Sequence, residues 1–277
     1  MLVISFICIY IKGSALIAYS IAIALLCLVE LFKTFKLNDI LIECTSILFS
    51  IVVLYFIGTS NKNLVLTSFS LYFLVVSIYY LFFNKINIVN LGKLIFSFIY
   101  ITVPMGVFLR LGETYLLWVV FFISWGTDTF AYLFGMIFGK HKLYPSISPK
   151  KTVEGSIGGI IGSLLLLILF NIFVLKYNFT FIIVSGILLS IVAQIGDLFA
   201  SKIKREIGIK DFSNIIKGHG GFLDRFDSII FVTPLVYIKA LANLVASEIV
   251  DDFKNNSCTF SVYGCCCSPW IWALYIR

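Results

Sequence analysis

Eight stretches of about 20 mostly apolar residues follow one another along this 277-residue chain, near 14-33, 40-58, 64-83, 93-110, 115-139, 156-175, 180-200 and 226-247. A helix needs about 20 apolar residues to cross the hydrocarbon core of a bilayer. Only 13% of the residues are charged, against about a quarter in soluble domains. Residues 2-12 form a short ninth candidate. They lack the basic start and small-residue cleavage site of a secretory signal, so they are read as a helix. The expected fold is an all-α polytopic membrane protein of about nine transmembrane helices with a cytoplasmic N-terminus.

The net charge of +7 carries information through its distribution. With nine spans and the N-terminus inside, 14 of the 21 bases fall on the inner face, including Lys33, Lys36, Lys85, Lys93, Lys140 and Lys142. The other seven, Lys12, Lys62, Arg110, Lys176, Lys239, Lys254 and Arg277, fall outside or near outer helix ends. That asymmetry fits the rule that cytoplasmic loops are rich in Lys and Arg. It places two polar loops, 140-155 and 201-225, on one cytoplasmic face. The bases sit in short loops beside membrane spans, which argues for lipid headgroups and phosphates as partners and against nucleic acid.

Residues 1-114 read as N-terminal helices that shape a lipid-facing cavity. Glu30 and Glu43 lie near helix ends and are read as interfacial anchors. Cys8, Cys27 and Cys44 sit in apolar segments as small hydrophobes. In the atypical tail, 251-277, Cys258, Cys265, Cys266 and Cys267 show no metal-ligand spacing, and the ending Tyr-Ile-Arg excludes a prenylation box.

Chemistry concentrates in residues 115-250. Asp128 lies well inside a span, where a carboxylate faces a bundle interior or a watery cavity and is functional by default. Ser124, Asp128, Tyr132 and Gly135 recur at helical spacing as one polar stripe. The loop that follows carries Ser148, Lys150, Lys151, Thr152 and Glu154 before a glycine-rich helix start, an arrangement suited to an anion. His141 is read as a loop or interface residue, and the spacing from Gly135 to His141 does not make a Walker A loop. Gly155, Gly158, Gly159 and Gly162 form two overlapping GxxxG steps, a close helix-packing surface. Further on, Ser190, Gln194, Asp197 and Ser201 mark one helix face at steps of four, three and four.

The longest polar run is 201-228. It holds Lys202, Lys204, Arg205, Lys210, Lys217 and Arg225 with Asp211, Asp224, Asp227 and His219. With Asp128 and Asp197, the last two aspartates make four carboxylates on one side of the membrane. Carboxylates without Cys or His partners suit a hard cation, and Mg²⁺ takes one or two of them together with substrate phosphates. Lysines and an arginine beside them would clamp further phosphate oxygens. The combination points to phosphoryl or nucleotidyl transfer. No GxSxG elbow supports a Ser-His-Asp hydrolase.

The stretch Ser201, Ile203, Lys204, Arg205, Lys210, Asp211, Ser213, Ile216, His219, Gly220, Gly221, Phe222, Asp224, Arg225, Phe226, Asp227 closely resembles the signature of the phosphatidate cytidylyltransferases, the CDP-diacylglycerol synthases. Lys217 departs from it, standing where that family has Pro or Gly. The resemblance covers residues 115-250, and the earlier helices in general character. It implies a Mg²⁺-dependent transfer of CMP from CTP to phosphatidate, giving CDP-diacylglycerol and pyrophosphate, with a second cation allowed. It further implies Asp197, Asp224 and Asp227 as metal ligands and Lys204 and Arg205 as catalytic phosphate holders. Binding roles fall to Lys210, Asp211, Ser201, Gly218, His219, Gly220, Gly221, Arg225, Ser148, Lys150, Lys151, Thr152 and Asp128. The expected location is a bacterial inner membrane with the site on the cytoplasmic side, and a homodimer is left open. Two alternatives stay open: a CTP-dependent polyprenol or phytol kinase, and a membrane transporter, which also uses intramembrane acids.

Overall fold

The computed structural model describes residues 8, 10–37, 39–83, 86–213 and 220–238. All but Ile238 belong to one compact unit, Met1–Tyr237. Among the described residues, seven helices are long and apolar enough to cross a membrane. They are α1 (Gly13–Phe35), α2 (Ile40–Gly58), α3 (Lys62–Phe82), α4 (Ile88–Leu111), α5 (Leu116–Phe138), α6 (Val153–Phe170, continued by a π turn over Asn171–Leu175) and α7 (Phe179–Ile207). A further helix, α8, runs over residues 223–238. Seven of the eight long apolar segments thus become helices close to their expected bounds. Most of 2-12, the end of 226-247 and the tail lie outside the described residues.

Local chemistry sets the helix ends. Asp39 accepts from the Leu41 N–H at the start of α2, and its other oxygen accepts from the Tyr79 hydroxyl at 2.5 Å, which ties α2 to α3. Asn87 caps α4 through the Asn90 N–H, so this helix starts at Ile88 and not at 93. Thr152 caps α6 through the Gly155 N–H. Each cap meets one of the N–H groups that a helix start leaves without a partner.

Two segments differ from the sequence reading. The first is α7, which continues to Ile207, so Ser201, Lys204 and Arg205 stand on its last two turns and not in a loop. Ile203 and Ile207 keep the apolar spacing, Lys204 and Arg205 complement the negative helix end, and Gly208 stops the helix in the left-handed conformation at φ 83°. The second is the 140-155 loop. It contains an antiparallel hairpin of β1 (Lys142–Tyr144) and β2 (Ser148–Thr152), pairing Lys142 with Thr152 and Tyr144 with Ser148. Glu154 braces it: its carboxylate accepts from the Lys140 N–H at 3.1 Å and the His141 N–H at 3.2 Å, and meets His141 Nδ1 at 2.6 Å.

Helices α1 to α4 pack on one another, and α5 to α7 form a second group. The closest approach is α5 against α6. A Cβ on Gly155 would stand 2.7 Å from the Ala131 carbonyl oxygen, and one on Gly159 would stand 2.8 Å from that of Thr127. Backbone cannot yield as a side chain can, so the expected glycine packing surface is realised. α6 and α7 are then joined by a polar ladder: Ser163 to Ser190 at 2.7 Å, a short Ser156–Gln194 contact, and Gln194 Nε2 to the Ser156 carbonyl at 3.1 Å. This is the expected face of α7. Tyr100 of α4, Phe199 of α7 and Phe231 of α8 join the two groups, with ring centroids 5.3 to 6.3 Å apart.

Gly159→Leu should separate α5 from α6, since overpacking costs about 1–3 kcal/mol or more where nothing can move. Gel filtration of the detergent-extracted protein should lose most of its monodisperse peak. The lipid-facing control Ile161→Ala should leave it intact.

Candidate active site

α5, α6, α7 and the hairpin enclose a cavity of about 410 Å³. Asp128, Tyr132, Lys150, Lys151, Gln194 and Asp197 are among the residues lining it. Its charged centre is an ion pair between Lys151 Nζ and Asp197 Oδ2. Ser201, one turn beyond, donates weakly to Asp197 Oδ1 at 3.4 Å. The polar stripe expected on α5 lines this space through Asp128, Tyr132 and Gly135, while Ser124 is fully buried beyond it.

Asp227 lies on the first turns of α8, 5% exposed, and accepts from the Ser228 N–H at 2.7 Å. α7 crosses α8 at this point, since a Cβ on Gly196 would sit 2.9 Å from the Asp227 carbonyl oxygen. Asp128, Asp197 and Asp227 consequently lie within electrostatic reach of one another. Carboxylates brought this close repel unless a positive charge lies near them. Lys151 supplies one.

Asp224 has a different environment. Its Oδ1 takes Lys204 Nζ at 2.5 Å, and its Oδ2 accepts from the Phe212 and Gly221 N–H groups, both at 3.0 Å. Lys204, 8% exposed, also lies 5.2 Å from the Phe212 ring centroid. Here Asp224 organises the segment between α7 and α8. Arg205 acts similarly, donating from Nε to the Ile147 carbonyl at 3.1 Å and from its guanidinium to the Ile209 carbonyl at 3.0 Å, which ties the hairpin turn to the end of α7. Lys150, Lys210 and Asp211 are exposed at the surface, Arg225 is exposed on α8, and Ser148 is half-buried on β2. Lys217, Gly218 and His219 lie outside the described residues.

The residue that the sequence reading missed is Glu30. Read as an interfacial anchor, it is 1% exposed, and its carboxylate accepts from Ser213 Oγ at 2.5 Å, the Phe222 N–H at 2.9 Å and the Leu223 N–H at 2.8 Å. It therefore holds the start of α8 from 193 residues away in sequence. The glycine pair of the signature fits around it. Gly220 takes φ 78°, and a Cβ on Gly221 would stand 2.7 Å from Glu30 Oε2. Helical phase was the available signal: Glu30 falls on the same face as the core residues Ile23 and Cys27.

Among the described residues, no three of His, Cys, Asp and Glu already converge as a ligand group. Asp197, Asp227 and Asp128 nevertheless fit a hard cation by donor chemistry, being oxygen-only. Asp224 would first have to give up Lys204.

Glu30→Ala removes the acceptor of two backbone N–H groups, each costing about 1–3 kcal/mol when left unmet. Trypsin should then cut at Lys210 several-fold faster in detergent, with cleavage at Lys62 unchanged. Glu30→Gln, which keeps an acceptor oxygen, should fall between. Equal cleavage of all three proteins would show that Glu30 does not hold this segment.

Residues 1–242 match the Cytidylyltransferase family. A phosphatidate cytidylyltransferase of Staphylococcus haemolyticus is 38% identical over 239 residues, covering 82% of this chain and 90% of that protein. Those of Staphylococcus saprophyticus and Staphylococcus aureus are 51% identical over 120 residues and 43% identical over 171 residues. These alignments cover 43% and 60% of this chain, and 46% and 65% of the relatives. With a match running from its first residue past the described end of α8, this chain belongs to the cytidylyltransferase family.

Proposed function

We propose that this protein is a phosphatidate cytidylyltransferase, moving CMP from CTP to phosphatidate with release of pyrophosphate. The observation that carries the reading is a cavity of about 410 Å³ lined by Asp128, Asp197, Lys150 and Lys151, in a membrane-embedded member of the family. The relatives named for this reaction support the choice of phosphatidate as the acceptor.

A phosphate oxygen of phosphatidate attacks the α-phosphorus of CTP, and the bond from that phosphorus to pyrophosphate breaks. A phosphomonoester has its second pKa near about 6, so the attacking oxygen is already largely ionised at neutral pH. A strong general base is unnecessary, and the main demands are positioning and charge neutralisation. Bound Mg²⁺, with a second cation allowed, would supply part of that neutralisation at the triphosphate. Asp197 and Asp227 would hold it, with Asp128 in support and Asp224 joining once Lys204 turns to a phosphate. Lys150, Lys151, Ser148 and Thr152 would meet the polyphosphate from the hairpin, and Lys210 and Arg225 from the other side. Gly218 to Gly221 would allow the backbone to approach the nucleotide. In this reading residues 1-114 are the scaffold, 115-250 the catalytic region and 251-277 an appended tail. The excess of bases on the loop-bearing side supports a cytoplasmic site in the inner membrane of a bacterial cell, with 2-12 completing about nine spans.

Membranes containing the chain, supplied with phosphatidate, Mg²⁺ and CTP labelled at the α-phosphate, should form labelled CDP-diacylglycerol. Label entering lipid from the γ-phosphate instead would identify a lipid kinase, and no incorporation from either position would favour a transporter. Asp227→Asn should lower the rate by about 100-fold or more, as expected when a group facing the transferring phosphate is lost. Full activity in that variant would remove Asp227 from the site.

A further inference from the structure

A second and larger cavity, about 600 Å³, lies between the end of α1, the start of α4 and the end of α7. Lys36, Lys93 and Lys202 come to it from three different helices, against one carboxylate, Glu206. Glu206 lies 3.8 Å from Lys202, on the same helix. Neither Lys36 nor Lys93 has a carboxylate partner among the described residues. Apolar walls come from Phe35, Phe96 and Phe199, with ring centroids 6.2 and 6.3 Å apart in sequence order, and Lys93 Nζ lies 5.9 Å from the Phe35 centroid.

Helix dipole matching accounts for Lys36 at the end of α1. It does not account for Lys93, which stands in the second turn of α4, beyond the reach of the helix-end charge. Along α7, Phe199, Lys202, Ile203 and Glu206 lie roughly opposite the face of Asp197, Ser201 and Lys204 at 100° per residue. The cavity is therefore backed onto the reaction site and separated from it by α7. Its level in the fold is that of the helix ends on the loop-bearing side, where headgroups lie.

We propose that this cavity holds the phosphate-bearing headgroup of an anionic phospholipid, with Lys36, Lys93 and Lys202 around the phosphate and the acyl chains along the Phe35, Phe96 and Phe199 side. The chemistry is that of basic pockets between membrane helices, where ammonium groups meet phosphate and apolar walls meet chains. The inference rests on the membrane-embedded fold and is independent of the reaction proposed above.

The test is native mass spectrometry of the purified full chain in micelles holding equal amounts of phosphatidylglycerol and phosphatidylcholine. The unmodified protein should retain phosphatidylglycerol preferentially. The triple variant Lys36→Gln, Lys93→Gln, Lys202→Gln should retain about tenfold less, while the corresponding triple arginine variant should keep binding. Asp227→Asn, altered on the far side of α7, should bind as the unmodified protein does. Equal retention by the unmodified and glutamine proteins would overturn the proposal, as would loss in the arginine variant. Loss in Asp227→Asn would move the lipid to the reaction site. Displacement by inorganic phosphate alone would show a site for a free anion and not for a lipid.

Discussion

A carboxylate buried among helices is costly unless its oxygens are met by donors, and Glu30 meets that condition by drawing a distant segment onto α1. Ser213, Phe222 and Leu223 all donate to it. The start of α8, which carries Asp224 and Asp227, is thereby fixed to the N-terminal helices. The negative charge also sits where the helix dipole is positive. A residue of the first helix thus helps to place the start of the last described one.

The polar groups of this region divide into two kinds by environment. Lys204 with Asp224, and Arg205 with two backbone carbonyls, are satisfied inside the protein and build the walls. Asp128, Asp197 and Asp227 bear on one another electrostatically, with Lys151, Arg225 and Lys204 offsetting their charge. The first kind is stable as it stands.

Much of this was legible in the sequence. Long apolar runs gave the spans because a helix satisfies its own backbone groups in lipid. The glycine steps at 155 to 162 and the polar face at 190 to 201 mapped directly onto contacts, since both depend on helical phase alone. The extension of α7 was hidden because charge was read as loop, although Ile203 and Ile207 kept the helical spacing. The hairpin was hidden by its brevity, three and five residues with two prolines in or beside it. Glu30 was misread for a different reason: its partners lie at 213, 222 and 223, and no local pattern encodes a contact across that distance.

The length of α7 has a mechanical consequence. At 29 residues and about 1.5 Å per residue it is about 43 Å long, well beyond a hydrocarbon core of about 30 Å. Its last turns therefore project into the headgroup layer as part of one continuous rod. The rod fixes both the height of Lys204 above the hydrocarbon and its bearing toward Asp224, because each residue added or removed turns the helix by about 100°. Depth and direction are coupled in such a device. A membrane of different thickness would be accommodated by tilting the whole rod, and the phosphate-facing and lipid-facing sides of α7 would then move together.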